Sequence, residues 1–381
     1  MERDSSTGSG SSRATSWGFA LLLFAALATF AFAQRGQNPS TSGDNIILVT
    51  LDGARTEEVF GGLDLEIFRS TLKADAKAED HPVYRRYWAG SREERRRKLM
   101  PFFWTLVTDQ GSIAGDRQLD SIVKLGNRHW FSYPGYAEIL LGEPHDDRIK
   151  SNDPIRNPYP TLLETIRARL NLPREKVAVF ASWSVFNEIV EHTEGTIFAN
   201  AGVEPLDSAD PRVKEIDRLQ REVPTPWEGT RFDAFTFRLA MAHLAAAKPR
   251  VLYLAFDETD DWAHDGRYDR VLDAYARTDE FLKELWTWVE NDPAYRGRTH
   301  LLVTTDHGRG RTARDWRDHG SRAAGSEDVW MAFVSHRMTQ RGEWRGGPPL
   351  STSQIAATLA SWVGVDWSSE HPNAGNVVVG R

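Results

Sequence analysis

Three short apolar runs in this chain each end on an aspartate. Ile46-Ile47-Leu48-Val49-Thr50-Leu51 runs into Asp52, Val251-Leu252-Tyr253-Leu254-Ala255-Phe256 into Asp257, and Leu301-Leu302-Val303-Thr304-Thr305 into Asp306. None alternates polar with apolar, so each suits a strand buried on both faces. Val177 to Trp183 and Val329 to Val334 have the same character. Between the runs, Thr161 to Leu170, Phe232 to Ala247, Tyr268 to Val289 and Gln354 to Val363 carry apolar residues three and four apart, the spacing of amphipathic helices. Ser351-Thr352-Ser353-Gln354 fits a capping box ahead of the last of them. Strands alternating with helices predict an α/β fold, with a central, mostly parallel β-sheet and helices on both faces. Ligands of such sheets bind beyond the carboxyl ends of the strands. Asp52, the Asp257 to Asp261 cluster and Asp306 fall there.

The chain of 381 residues is long enough for one large α/β domain or two modest ones. It contains no cysteine, which removes disulfides, thiolate metal sites and cysteine nucleophiles. Its net charge of -7 argues against a surface built to coat a nucleic-acid polymer. Residues 1–33 read as a signal peptide or N-terminal anchor. Trp17 to Ala33 is apolar and uncharged, and it ends Ala31-Phe32-Ala33, a small-x-small pattern that suits cleavage before Gln34. The run is short against the roughly 20 residues of a membrane span. One feature departs from a usual leader: Glu2 and Asp4 cancel Arg3 and Arg13. Cleaved, the chain is exported to a periplasmic or extracellular place; uncleaved, it is anchored to a membrane there. Residues 34–44 read as a linker and 45–381 as the folded domain. Within it, 65–128 is less regular, and reads either as a lid insertion or as a surface excursion. The oligomeric state has no signal in the sequence.

Carboxylates and imidazoles recur where the strands end. Asp306 is followed at once by His307 and Gly308, Asp260 is followed four residues later by His264, and His319-Gly320 comes twelve residues after His307. This is the ligand chemistry of zinc and related divalent ions. Residues four apart share one face of a helical turn, so Asp260 and His264 can converge on one ion. Neighbouring Asp306 and His307 can do so only from a loop, since adjacent side chains diverge in regular structure.

Asp52-Gly53, Phe131-Ser132-Tyr133-Pro134-Gly135-Tyr136, Asp260 to His264, Thr305-Asp306-His307-Gly308 and His319-Gly320 together resemble the ordered motifs of the alkaline phosphatase superfamily. The nearest branch is the type I phosphodiesterase and nucleotide pyrophosphatase group, and the resemblance spans about residues 45–335. It implies an alkaline phosphatase-like three-layer sandwich and two divalent metal ions, zinc or alternatively manganese, about 4 Å apart. Asp52, Asp306 and His307 would hold one ion, which also binds Ser132, and Asp260, His264 and His319 the other. Asp257 or Asp261 would replace Asp260 if the loop is displaced. Ser132 takes the nucleophile position, where metal coordination replaces a histidine base. A helix beginning near Pro134 would add N–H groups facing the anion; the bland alternative is that Ser132 caps it. Asn152 would donate to a phosphoryl oxygen, or is simply a turn residue of Asn152-Asp153-Pro154. Arg55, Arg311 and Arg314 are either substrate contacts or surface charge. His129, His243 and His300 read as structural.

The reaction implied is hydrolysis of a phosphate ester through a phosphoseryl intermediate. Tyr136 stands where sulfatases require arginine, which speaks against a formylglycine enzyme. No third-ion group or arginine for a doubly charged phosphate is identifiable, so a phosphodiester or nucleotide is favoured over a monoester. A non-catalytic binding protein on this fold is the contrasting reading, to which the 14 tryptophans would lend stacking surfaces.

Overall fold

The computed structural model describes residues 43–336 and 338–378. The expected leader, and the expected linker up to residue 42, lie outside them. Eight strands form the main sheet: β1 (Asn45–Leu51), β2 (Gly111–Ala114), β4 (Val177–Ala181), β5 (Phe198–Ala201), β6 (Val251–Phe256), β7 (Thr299–Thr304), β8 (Met331–Val334) and β9 (Gly342–Glu343). Their order is β5-β4-β6-β1-β7-β8-β2-β9, and β3 (Val123–Lys124) and β10 (Leu350–Ser351) form a separate pair. Only β8 runs against its neighbours. The sheet is thus mostly parallel, as the unalternating runs predict.

Residues that alternate along each strand enter different cores. Ile47, Val49, Leu51, Leu252, Leu254, Leu301 and Val303 point into one; Ile46, Leu48, Val251, Tyr253 and Leu302 into the other. Burying each such side chain contributes roughly 1.5–3 kcal/mol, so these strands have no solvent face to mark with polar residues. The first core is covered by α1 (Thr56–Gly61), α2 (Leu65–Ser70), α3 (Pro82–Tyr87), α4 (Arg92–Leu99) and α5 (Pro101–Asp109). The second is covered by α6 (Ser132–Leu141), α7 (Leu162–Arg169) and α8 (Phe186–Ile189). Next along the chain, α9 (Pro211–Glu222), α10 (Asp233–Ala247), α11 (Glu258–His264) and α12 (Tyr268–Asn291) return to the first core, and α13 (Ile355–Trp362) closes the second. The capping box at Ser351 is present, on a 3-10 turn that leads into α13.

Register sets the level of the acidic strand ends. Leu51 lies opposite Phe256 on β6, and Thr50 opposite Thr304 on β7. Continuing the chain one or two residues brings Asp52 level with Asp257 on one side and Asp306 on the other. A one-residue slip of β1 would turn Asp52 to the opposite face.

The segment 65–128 is built into the domain. Its β2 pairs antiparallel with β8, and α5 buries Phe103, Trp104, Leu106 and Val107. The charged run of α4 is only partly solvated: Arg96 is buried, with Nη1 and Nη2 on the two carboxylate oxygens of Glu343 at 2.7 and 2.8 Å. Among the described residues no helix is long and apolar enough to cross a membrane.

Candidate active site

The loops after β1 and β7 are bound to each other. Thr305 Oγ1 accepts from Ala54 N (3.0 Å) and donates to the His307 carbonyl (2.8 Å), while Gly53 N donates to Asp306 Oδ1 (3.1 Å). Gly53 has a φ of 56°, and a Cβ there would strike the Asp260 carboxylate. Gly308 is needed for a different reason: a Cβ would lie under 3.0 Å from the carbonyls of Asp328 and Gly325.

Four donors converge beside this junction. His307 Nε2 is 3.3 Å from Asp52 Oδ1, 3.5 Å from Asp306 Oδ2 and 3.4 Å from Ser132 Oγ. Tetrahedral zinc with bonds of about 2.0–2.2 Å places neighbouring donors roughly 3.3–3.5 Å apart. Asp52 Oδ1 and Asp306 Oδ2 are buried and have no hydrogen-bond partner. Their other oxygens are used: Asp52 Oδ2 accepts from Tyr136 Oη (2.8 Å), and Asp306 Oδ1 from Gly53 N. Orphaned buried carboxylate oxygens cost about 1–3 kcal/mol each, and a cation at their convergence removes that cost. The donor set therefore fits a divalent ion.

A second set abuts the first. On α11, His264 Nε2 lies 3.1 Å from Asp260 Oδ2, the i,i+4 geometry of one helical turn. His319 Nε2 is 3.0 Å from His264 Nε2 and 3.9 Å from Asp260 Oδ1. His307 Nε2 lies 3.8 Å from Asp260 Oδ1, so it touches both sets. Asp260, and neither Asp257 nor Asp261, sits among the histidines. Arg309 has entered this set as well. It is buried, and its guanidinium donates to the Asp260 carboxylate.

Burial governs the protonation states. It pushes Asp52 and Asp306 well above the usual carboxylate range, with Asp260 reinforcing the first and Asp52 the second. Burial lowers His307 to about 4, and His319 to about 2 with help from His307. Both imidazoles are thus neutral near pH 7, the ligating form. At Asp260, burial acts upward but is outweighed by Arg309, His264 and His319, which hold its carboxyl well below the ordinary value. Burial and the neighbouring Asp261 raise Asp257, and burial lifts Asp261 to about 8.

Ser132 is the first residue of α6, not a cap: Phe131 occupies the capping position and makes no side-chain bond there. The helix begins two residues before the expected Pro134. Few of its N–H groups are available to an anion, because Tyr133 N donates to Asn152 Oδ1 at 2.9 Å and Pro134 has none. The exposed Asn152 is therefore fixed by its carbonyl oxygen, with its amide donors left for other partners. The loop ahead of Ser132 is held by buried Glu138, which accepts from the backbone N–H of Gly126 and of Asn127. Asn127 Oδ1 in turn holds the N–H groups of His129 and Trp130. Trp130 has a φ of 56°, an uncommon conformation for a bulky residue and a strain often found at functional loops.

The arginines diverge from the sequence reading. Arg55 is not a surface charge. It is buried in a bidentate pair with Glu58 (both 2.8 Å) and donates to the Gly310 carbonyl. Arg311 pairs with Asp328, and Arg314 is exposed. Two residues of this site, Tyr136 and Arg309, have no role that pattern alone reveals. Sequence pattern marks Tyr136 only as a departure from the sulfatase motif and leaves Arg309 unmarked, although a charged residue between two glycines just after His307 is a visible signal.

No curated protein matches the chain. Residues 151–335 match the family model of the type I phosphodiesterase / nucleotide pyrophosphatase, a span that holds Asn152, Asp260, His264, Asp306, His307 and His319. Wild-type alkaline phosphatase PafA superposes with a TM-score of 0.53 at 9% identity, over 84% of this chain and 96% of that one. The fold is that of the alkaline phosphatase superfamily. Two further structures share it. The lipoteichoic acid synthase LtaP from Listeria monocytogenes gives a TM-score of 0.54 at 9% identity, covering 91% of this chain and 78% of that one. Ps i-CgsB, in complex with k-i-k-neocarrahexaose, gives 0.54 at 15% identity, covering 88% and 74%. At these identities the superfamily likeness is one of fold.

Proposed function

We propose that this chain is a two-metal hydrolase that cleaves phosphate esters through a phosphoseryl intermediate on Ser132, with a phosphodiester or nucleotide as substrate. The observation that carries the reading is the convergence of Ser132 Oγ, Asp52 Oδ1 and Asp306 Oδ2 within 3.3–3.5 Å of His307 Nε2. Zinc, or alternatively manganese, held by Asp52, Asp306 and His307 and by Asp260, His264 and His319, would acidify the Ser132 hydroxyl and neutralise the transferring phosphoryl group.

Ser132 Oγ attacks phosphorus as the bond to the leaving alcohol breaks, and water then hydrolyses the seryl ester. Asn152, fixed through Oδ1 by Tyr133 N, presents its amide to a non-bridging oxygen. Tyr136 holds Asp52 in place through Oδ2. The diester preference rests on charge. Arg55 and Arg311 would favour a doubly charged monoester, but both are committed to carboxylates. The match to the phosphodiesterase family model supports the same choice. The expected setting is outside the cytoplasm, and N-terminal sequencing that begins at Gln34 would establish the cleavage.

The test is turnover of a phosphate diester, a phosphate monoester and a sulfate monoester by the zinc-loaded protein, with and without chelator. Chelator-sensitive turnover led by the diester is expected, and Ser132→Ala should lower it by at least about a thousandfold with metal content retained. Unchanged turnover in Ser132→Ala would remove the nucleophile assignment, and turnover led by the monoester would replace the substrate class.

A further inference from the structure

A second group of metal-ligand chemistry lies at the other end of the sheet. Asp44 immediately precedes β1, His300 is the second residue of β7, and His336 follows β8. Because β8 is antiparallel to β7, its exit returns to the amino ends of β1 and β7. Eight residues of extended chain separate Asp44 from Asp52, about 26 Å at 3.3 Å per residue. This group is therefore remote from the site proposed above, and its argument does not depend on that reading.

We propose that Asp44, His300 and His336 form a zinc site. One ligand atom from each lies within 4.8 Å of the others. Asp44 Oδ2 is 3.2 Å from His300 Nε2 and 3.8 Å from His336 Nε2. These separations bracket the roughly 3.3 Å donor spacing of tetrahedral zinc. A hydrogen bond accounts for the shorter approach but not for the longer one, which exceeds hydrogen-bonding reach.

The buried ligand is also oriented as zinc-binding histidines are. His300 is fully buried, its Nδ1 is bonded to Ser335 Oγ at 2.7 Å, and its ring stacks on Trp362 with centroids 5.0 Å apart. A partner on one ring nitrogen fixes the tautomer and aims the other nitrogen. Here the other is Nε2, which faces Asp44. The His336 side chain is half exposed (51%), which leaves an entry path and room for water as a fourth ligand. Two imidazoles and one carboxylate suit zinc rather than calcium or magnesium.

Positive charge among the described residues opposes the ion. Arg250 donates to the main-chain carbonyl of Asp44 at 3.1 and 2.7 Å. The site is accordingly weaker than a four-ligand structural centre. Its consequence is mechanical: one ion would tie the chain entering β1 to β7 and to the exit of β8.

The experiment counts zinc per chain after loading and desalting, alongside thermal unfolding with and without zinc and ester turnover. His336→Ala alters a half-exposed side chain, and Asp44→Asn conserves shape, so one of the two should fold even if the other does not. Each is expected to lose one zinc per chain and part of the zinc-dependent rise in Tm, with turnover unchanged. Wild-type zinc content in both variants would overturn the proposal. Asp306→Asn serves as the control. If it keeps all its zinc while His336→Ala loses one, the active-centre reading fails and this site stands.

Discussion

Arg309 lies against Asp260, its Nη2 donating both to the main-chain carbonyl at 3.1 Å and to the carboxylate, while Nη1 donates to the Arg317 carbonyl. A buried guanidinium thus occupies a ligand oxygen of one of the two candidate metal sets. Positive charge at that distance repels a divalent ion by several kcal/mol at an effective dielectric of about 20. The set containing Asp260 should therefore bind zinc more weakly than the set containing Asp52, Asp306 and His307. Arg309→Met is expected to tighten the weaker zinc equivalent by at least about tenfold in a competition titration with a chelator. It should also lower the stability of the metal-free protein by roughly 3–5 kcal/mol, since Asp260 is left without its buried partner. Equal or weaker zinc binding in the variant would contradict the role assigned to Arg309.

Tyr136 Oη donates to Asp52 Oδ2 at 2.8 Å and leaves Oδ1 facing His307. Removing such an orienting partner commonly weakens metal binding by about 10–100-fold. Tyr136→Phe keeps the ring and loses only the hydroxyl. Zinc affinity at the set containing Asp52 should fall within that range, with the weaker equivalent unchanged. A variant that binds zinc as the wild type does would show that Asp52 is held by its backbone alone.

Much of this arrangement was legible because burial on both sheet faces leaves a plain mark in sequence. The unalternating runs before Asp52, Asp257 and Asp306 located three adjacent strands and the level at which they end. The spacing of Asp260 and His264 was readable because a helix repeats locally. What escaped depended on tertiary contact. β2 is only Gly111-Ser112-Ile113-Ala114, too short to show a period, so the segment around it reads as irregular. Arg55 and Glu58 are three residues apart and pair within α1's first turn, yet nothing local says that the pair is buried. The approach of His300 to Asp44 bridges 256 residues and has no spacing to detect.

Gly135 on α6 marks where that helix touches the loop after β7. A Cβ there would lie under 3.0 Å from the main-chain carbonyl of Asp306. Neither side can retreat easily, since Ser132 and Asp306 are both buried at the site. Gly135→Ala should therefore separate Ser132 from His307, despite alanine's better helix propensity of about 1 kcal/mol. We expect a loss of stability of about 1–3 kcal/mol, typical of overpacking, and a loss of turnover larger than that stability change would produce. Denaturant unfolding and turnover measured on the same preparation check this. A more stable, fully active variant would mean that α6 can shift without cost.

Asp279 on α12 ties down the start of α5, accepting from Phe102 N at 3.1 Å and Phe103 N at 2.6 Å. Burial pushes its pKa up to about 6, and the two N–H donors only partly offset this. The folded-state value exceeds the unfolded one of about 3.9, so the folded protein binds this proton more tightly. The associated stability is fully present below about pH 4 and is lost as pH rises through about 6, an effect of up to about 3 kcal/mol. Asp279→Asn cannot titrate, but its amide serves the two N–H groups less well, at a cost of about 1 kcal/mol that does not vary with pH. In urea unfolding from pH 4.5 to 7.5 the wild type should lead at the acid end. The gap should then close, or reverse, across pH 6. A constant gap over the whole range would show that Asp279 is already ionised in the folded protein at pH 4.5.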